Sequence, residues 1–216
     1  MENLWLILIA VAAYLLGSFP TAYLVGTKDV LRRGSGNVGT MNVLRTTGSK
    51  KRAFLTLIFD VAKAVLAVYI AFWLVCLGYN LLMGTLVASA FVILGHNYSV
   101  FLKFKGGRGL ASLFGVVLAL NWIAALSCLA TLVVIILTVE AILILMRKSE
   151  RNFGNLFSLT TLNSQILGRV IGMLFCLLPI YLLVPQSFLA IIPAIALSLL
   201  RHGDRLLKYL NKKTAG

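Results

Sequence analysis

Long apolar runs separated by short polar segments dominate this chain of 216 residues. About 20 residues of α-helix cross a hydrocarbon core of ~30 Å, so runs of this length predict membrane spans. We therefore expect an all-α fold, a polytopic membrane helix bundle that forms one integral-membrane domain over 1–216. The pattern predicts seven transmembrane helices, at residues 3–26, 53–76, 81–96, 110–121, 123–146, 167–184 and 187–200.

One of these boundaries rests on a single dipeptide. Residues 110–146 are almost wholly apolar and too long for one span. We divide them at Asn121–Trp122, where a polar residue and an aromatic typical of the membrane interface coincide. The first part is then a short span, tilted or partly re-entrant.

Composition supports the membrane assignment. The chain is 60% hydrophobic and only 12% charged, and its mean hydropathy is +0.97. A soluble domain of this composition would expose far too much apolar surface. The first apolar run lacks a preceding basic segment, so we do not expect a cleaved signal peptide.

The basic residues predict the topology. The net charge is +14, and 18 of the 20 lysines and arginines lie in 27–52, 97–109, 147–158 and the segment after 200. Seven spans place all four segments on one side, which the positive-inside rule assigns to the cytoplasm. We predict a multi-pass plasma-membrane protein with its N-terminus outside and its C-terminus cytoplasmic. Anionic lipid headgroups then explain the charge, and no nucleic-acid partner is expected.

The first candidate site is the sequence GSGNVGTMNVLRTTG at residues 34–48. Glycine-rich turns free backbone N–H groups to bind an anion. Ser35, Asn37 and Asn42 add neutral donors, and Arg45 adds a two-pronged donor suited to phosphate. The alternative interpretation is an ordinary solvated loop with helix caps.

The second candidate site lies between two apolar runs. Gly106, Gly107 and Gly109 precede the run at 110, and glycines there let a helix N-terminus face an anion. Lys105 and Arg108 add charge to this segment, and His96 ends the preceding run. The alternative is a basic loop at the membrane edge.

Weaker signals lie elsewhere in the chain. Residues 152–159 place polar side chains at a span boundary, and Arg201–His202–Gly203–Asp204–Arg205 follows the last span. Asp60 and Lys63 are three apart within a span. They predict an ion pair that faces the bundle interior and could brace the site. Glu140 and Arg169 have no assigned role. The three cysteines lie in apolar runs and predict buried apolar positions rather than a metal site.

Together these motifs predict a site for phosphate groups at the headgroup level, above an apolar bundle suited to an acyl chain. The stretches GSGNVGTMNVLRTTG, LGHNYSVFLKFKGGRGLAS and RHGD resemble, in this order, the motifs of the acyl-phosphate:glycerol-3-phosphate acyltransferase family (PlsY). The resemblance implies transfer of an acyl group from acyl phosphate to the sn-1 hydroxyl of glycerol 3-phosphate. The products would be lysophosphatidic acid and phosphate, in the first step of phospholipid synthesis. The resemblance implies that no cofactor and no metal are needed. It also implies a monomer whose partners are the two substrates and the membrane lipids.

The resemblance also implies site residues at the matching positions. The catalytic candidates are Ser35, Arg45, Lys105 and His202. Candidates for binding substrate phosphate are Gly36, Asn37, Asn42, His96, Gly106, Gly107, Arg108, Gly109 and Arg201. The chain departs from the family's usual pattern at Thr40–Met41, Ser99, Arg108, 152–158 and Asp204–Arg205.

Two alternatives stay open at this point. A divergent paralogue would use another polyol phosphate or another donor. A phosphate or anion transporter would use the same glycine-rich cationic loops as a vestibule, although alternating access favours a site near the membrane midplane. Uptake into sealed vesicles without chemistry would distinguish the transporter.

Overall fold

The computed structural model describes residues 2–26, 28–75, 80–146 and 166–214, and every regular element in them is helical. The prediction of an all-α fold is confirmed. The segment 152–159 lies outside the described residues. The α-helices are α1 (Glu2–Ser18), α2 (Thr40–Thr47), α3 (Lys50–Val75), α4 (Leu81–Asn97), α5 (Leu110–Leu120), α6 (Trp122–Met146), α7 (Ile166–Phe175), α8 (Leu177–Leu183) and α9 (Phe188–Thr214).

Six segments of the described chain are long and apolar enough to cross a membrane: Leu4–Gly26, Lys50–Leu74, Leu81–Leu102, Trp122–Ile142, Ile166–Leu183 and Pro185–Gly203. Helix α5 has 11 residues and is about 16 Å long, roughly half of a hydrocarbon core. The membrane helix bundle is confirmed, whereas the count of seven spans and the orientation of the termini stay predictions.

The division at Asn121 is confirmed. Helix α5 ends one residue before it and α6 begins one residue after it. The Asn121 carboxamide oxygen accepts the N–H groups of Ile123 and Ala124, at 2.8 and 3.1 Å. These donors have no partner within a helix, so Asn121 is an N-cap that starts α6.

The first predicted span is not one continuous helix. Helix α1 ends at Ser18, and a π-helical turn follows at Ala22–Gly26. Pro20 lies in the break, because its ring disfavours helical backbone at the preceding residue. The break leaves the Thr21 hydroxyl 3.1 Å from a carboxylate oxygen of Asp60 on α3.

Helix α4 is the centre of the bundle and packs against α1, α3 and α9. In the most apolar stretch of the span that contains α4, 56% is buried inside the protein, compared with 17% for the span of α6. A methyl group added at Gly95 of α4 would overlap the carbonyl oxygen of Tyr14 in α1. A methyl group added at Gly17 of α1 would overlap the carbonyl oxygen of Val92 in α4. The two backbones therefore touch, as small residues permit in membrane helix pairs.

We predict that Gly95→Ala destabilises the protein by about 1–3 kcal/mol, because the methyl group forces α1 and α4 apart. Gly203→Ala is the matched control, since a methyl group there meets no atom within 4 Å. It should leave stability unchanged or raise it by up to about 1 kcal/mol. Thermal unfolding in detergent measures both, and equal melting temperatures would contradict the close packing of α1 and α4.

Candidate active site

A cavity of about 480 Å³ lies between α2, α3, α5, α6, α7 and α9. Its polar end is lined by Ser35, Asn37, Thr40, Arg45, Asp60, His96, Arg108 and His202. Its apolar end is lined by Leu113, Phe114, Val117, Leu129, Leu132, Ile136, Met173, Ile180 and Ile195. The polar end brings together residues of the first, second and last sequence motifs.

The two ends are separated along the helix axes. Gly109, at the start of α5, and Val117, further along that helix, both line the cavity. Their spacing corresponds to about 12 Å of helix rise. On α9, His202 and Ile195 are about 10 Å apart by the same measure. One cavity therefore has a charged end and an apolar end.

Asn42 organises the first loop. Its side-chain amide nitrogen, which has two N–H donors, lies within hydrogen-bond distance of the carbonyl oxygens of Val30, Arg33 and Asn37, at 2.7, 3.2 and 2.8 Å. Its carboxamide oxygen accepts the Ser35 N–H at 2.7 Å. These bonds commit the buried amide to the backbone, so Asn42 positions the loop rather than donating to a substrate phosphate as the sequence suggested. Gly36 is exposed and lies outside the cavity lining.

Arg45 brings a positive charge to the polar end from α2. Its Nη2 atom is buried and has no hydrogen-bond partner in the described part of the chain. Burial lowers the pKa of the Arg45 guanidinium, because desolvation disfavours the charged form. An arginine nevertheless stays charged, and a buried charge needs an anionic partner. This geometry suits the phosphate-binding role that the sequence predicts.

The glycines of the second motif allow close packing. A methyl group at Gly107 would overlap the His96 ring, and one at Gly106 would overlap the carbonyl oxygens of His96 and Asn97. The Gly107 N–H donates to the His96 carbonyl oxygen at 2.8 Å. This differs from the expectation that the Gly107 N–H binds phosphate, because a backbone carbonyl already accepts it.

The cation that this loop presents to the cavity is Arg108. Lys105, a catalytic candidate from the sequence, is exposed and lies outside the cavity lining. Arg108, Gly109, Leu110 and Ala111 line the cavity at the start of α5. Gly109 precedes the helix with φ +81°, a conformation that favours glycine. The first turn of α5 therefore lines the cavity, and N–H groups at a helix N-terminus attract an anion.

A buried polar cluster lies beside this loop. The Lys63 ammonium is 2.7 Å from a carboxylate oxygen of Asp60 and 2.9 Å from Nδ1 of His96. The predicted ion pair of Asp60 and Lys63 is confirmed. Asp60 and His96 also line the cavity, so the pair braces its wall.

The last motif contributes two side chains with different surroundings. His202 is buried, lines the cavity, and its Nδ1 lies 2.9 Å from the Ser198 carbonyl oxygen. Arg201 donates to the Asn97 carbonyl oxygen at 3.1 Å and lies over the Tyr98 ring, 4.6 Å from its centroid. Arg201 is not part of the cavity lining, so it joins α9 to the end of α4.

Several lining residues were not predicted as site residues. Asp60 and Arg169 carry charges within apolar runs, and that signal alone marked both. The apolar lining has no comparable signal, because its leucines and isoleucines resemble the lipid-facing ones. Cys128 and Cys176 line the cavity as free thiols, and Cys76 lies outside the described residues.

Comparison with known proteins identifies the family of this chain. A model of the family described as glycerol-3-phosphate acyltransferase matches residues 7–212. The chain belongs to the glycerol-3-phosphate acyltransferase family. The enzyme of that name from Clostridioides difficile (strain 630) is 40% identical over 141 residues, 63% of this chain and 69% of the relative. The one from Syntrophotalea carbinolica is 41% identical over 140 residues, 63% of this chain and 68% of the relative.

Solved structures of a glycerol-3-phosphate acyltransferase share the fold. Crystal structures of the integral membrane enzyme PlsY, in a glycerol 3-phosphate form and a lysophosphatidic acid form, match with a TM-score of 0.69. The match covers 96% of this chain and 92% of the other at 27% identity. This family member is therefore an integral membrane protein of the same architecture.

We predict that inorganic phosphate or glycerol 3-phosphate raises the melting temperature of the wild-type protein and that Arg45→Ala removes most of this rise. A bound anion stabilises only the folded state, and Arg45 supplies a buried charge for it. Arg33→Ala removes the same charge from an exposed side chain that pairs with Asp29. An equal loss in both variants would indicate a general effect of net charge.

We also predict that Asn42→Asp lowers the free energy of unfolding by about 1–3 kcal/mol, because a carboxylate cannot donate to the loop carbonyls. Asn37→Asp is the matched control, since the Asn37 oxygen accepts the Gly39 N–H at 3.0 Å and a carboxylate can do the same. Chemical or thermal unfolding separates the two variants. If the Asn42→Asp and Asn37→Asp variants are equally stable, Asn42 does not position the loop.

Proposed function

We propose that this chain transfers an acyl group from an acyl phosphate to the sn-1 hydroxyl of glycerol 3-phosphate. The observation that carries the proposal is one cavity with a cationic end and an apolar end. A donor with a phosphate head and an acyl tail fits both ends at once. Its polar cosubstrate needs only the cationic end, where residues of three motifs meet.

The cations of the polar end have separate roles in this proposal. Arg45, on α2, binds one phosphate, and Arg108 with the first turn of α5 binds the other. Ser35 and Asn37, in the first loop, line the same cavity and orient the bound groups. Lys105, which the sequence predicted as catalytic, is exposed, so we propose that it attracts anionic substrates to the cavity instead of contacting the reacting atoms.

The chemistry needs no covalent intermediate with the protein. The glycerol hydroxyl oxygen attacks the acyl carbon, the bond from that carbon to the phosphate oxygen breaks, and the hydroxyl proton passes to a phosphate oxygen. Phosphate is a good leaving group, so positioning and stabilisation of developing negative charge supply the rate enhancement. The arginines and the α5 N-terminus are placed for that task.

The proposed location of the polar end is the cytoplasmic face of the plasma membrane. The segments that form it, 27–52 and 97–109, carry ten of the 20 basic residues. The positive-inside rule places such segments in the cytoplasm. Water-soluble glycerol 3-phosphate would then arrive from the cytoplasm and the acyl chain would lie within the bilayer.

The test is an assay of purified protein with glycerol 3-phosphate and either palmitoyl phosphate or palmitoyl-CoA. We expect the protein to release phosphate and form lysophosphatidic acid acylated at sn-1 when palmitoyl phosphate is the donor, and to form no product from palmitoyl-CoA. NMR of the product determines which hydroxyl is acylated. Turnover with another polyol phosphate instead would indicate a divergent paralogue. Uptake of phosphate by sealed proteoliposomes without acyl transfer would show that the protein is a transporter and not an enzyme.

The same assay distinguishes the two cations of the second motif. We predict that Arg108→Ala lowers kcat/KM by about 10²-fold or more, because Arg108 faces the cavity. Lys105→Ala removes one charge from the exposed part of the same loop and is the matched control. It should lower kcat/KM by less than about 10-fold, mostly because KM rises. A larger loss for Lys105→Ala would show that this lysine reaches the substrates after all.

A further inference from the structure

We propose that the Asp60–Lys63 ion pair fixes His96 as the neutral tautomer with its proton on Nε2, so that His96 acts in the cavity as a hydrogen-bond donor and not as a base. Asp60 and Lys63 are then positioning residues for this reaction. The tautomer follows from geometry alone, whereas the role in acyl transfer rests on the function proposed above.

The contacts of Lys63 determine the direction of its hydrogen bonds. Its Nζ lies 2.7 Å from the Asp60 carboxylate, and the same carboxylate oxygen accepts the Thr21 hydroxyl at 3.1 Å. The side chains of Asp60 and Lys63 are 3% and 8% exposed. The two side chains form a buried ion pair, in which the Lys63 ammonium faces the carboxylate of Asp60.

A protonated amine has three donors and no acceptor. The bond of 2.9 Å between Lys63 Nζ and His96 Nδ1 is therefore donated by lysine, and Nδ1 accepts it. An Nδ1 that accepts cannot carry a proton, so the ring is neutral and its proton is on Nε2. Asp60 lies 3.6 Å from Nδ1, beyond a good hydrogen bond.

The surroundings of His96 give its ring one orientation. Asp60 and Lys63 face it from α3, and Arg201 lies near it on α9. A methyl group at Gly107 would overlap Nε2, so the missing side chain leaves room beside that atom. His96 is 4% exposed and lines the polar end of the cavity. A neutral imidazole held in this way offers an N–H to a substrate oxygen without adding a full charge.

The second histidine has the opposite arrangement. His202 Nδ1 lies 2.9 Å from the Ser198 carbonyl oxygen, which can only accept, so Nδ1 of His202 carries a proton. The chain contains only these two histidines. When both rings are neutral, one is therefore protonated on Nε2 and the other on Nδ1.

Nitrogen-15 NMR of protein labelled at histidine tests the tautomer without any substrate. The protein needs a purification tag free of histidine, and His202→Gln assigns the two rings. We expect His96 to show a protonated Nε2 and an unprotonated, hydrogen-bonded Nδ1 at neutral pH. A proton on Nδ1 of His96, or on both nitrogens, would overturn the proposal whether or not the protein transfers acyl groups.

Lys63→Met tests the role of the ion pair. It should abolish the single tautomer of His96 in the spectrum and lower kcat more than it raises KM. Lys51→Met, the same change at an exposed lysine, should leave the spectrum and kcat unchanged. If Lys63→Met folds and keeps the His96 signals of the wild type, Lys63 does not fix the tautomer and the proposal fails.

Paired substitutions of His96 test the donor. The glutamine amide nitrogen can occupy the place of Nε2, whereas the shorter asparagine amide reaches only the place of Nδ1. We expect His96→Gln to retain kcat within about 10-fold and His96→Asn to lose about 10²-fold or more, as for other oxyanion donors. Equal losses in two folded variants would show that the Nε2 donor is not used.

Discussion

The carboxylate of Asp60 is the interaction on which the rest of the polar structure depends. It lies within a span, where an isolated charge is costly, and is stabilised by Lys63 and by the Thr21 hydroxyl. Thr21 follows Pro20 in the break of the first span, and Lys63 in turn contacts His96 at the end of α4. One buried charge thereby joins the break after α1, the middle of α3 and the end of α4, and these segments support both glycine-rich loops.

The lengths of the helices explain why the cavity has two ends. Helix α5 begins beneath the second loop and ends after 11 residues, whereas its neighbours α3 and α6 have 26 and 25. The first turn of a short helix can therefore face the cavity while α6, α7 and α9 surround the space beyond it. The same wall then changes from N–H groups and arginines to leucines within about 12 Å. A substrate with a charged head and an apolar tail needs this change in polarity.

The sequence predicted the helical class, most of the long helices and the meeting of the motifs, because these depend on residue type and period. Apolar runs determine the spans, and glycines with charges between them mark the loops that cannot lie in lipid. It did not predict which cation faces the cavity. Lys103 and Phe104 have φ of +53° and +59°, so the chain changes direction just before Lys105. A turn of this kind decides which side chains point inward, and no periodicity reveals it.

The roles of Asn42, Gly106 and Gly107 were also beyond the sequence. Asparagine and glycine bind phosphate in some loops and hold the backbone in others. Only the contacts of Asn42 with Val30 and Arg33, twelve and nine residues away, distinguish the two. The break in the first span was also missed, although Pro20 disfavours helical backbone at the residue before it.

The departures from the family's usual pattern differ in their consequences for chemistry. Ser99 stands where the pattern has proline, and its hydroxyl donates at 2.5 Å to the Ser18 carbonyl oxygen at the end of α1. The Ser18 carbonyl oxygen has no donor within α1 because the helix ends there, and the Ser99 hydroxyl supplies one. Arg108 stands where the pattern has lysine and lines the cavity. A planar fork replaces a point charge there, so a difference in substrate preference would arise at Arg108 rather than at Ser99.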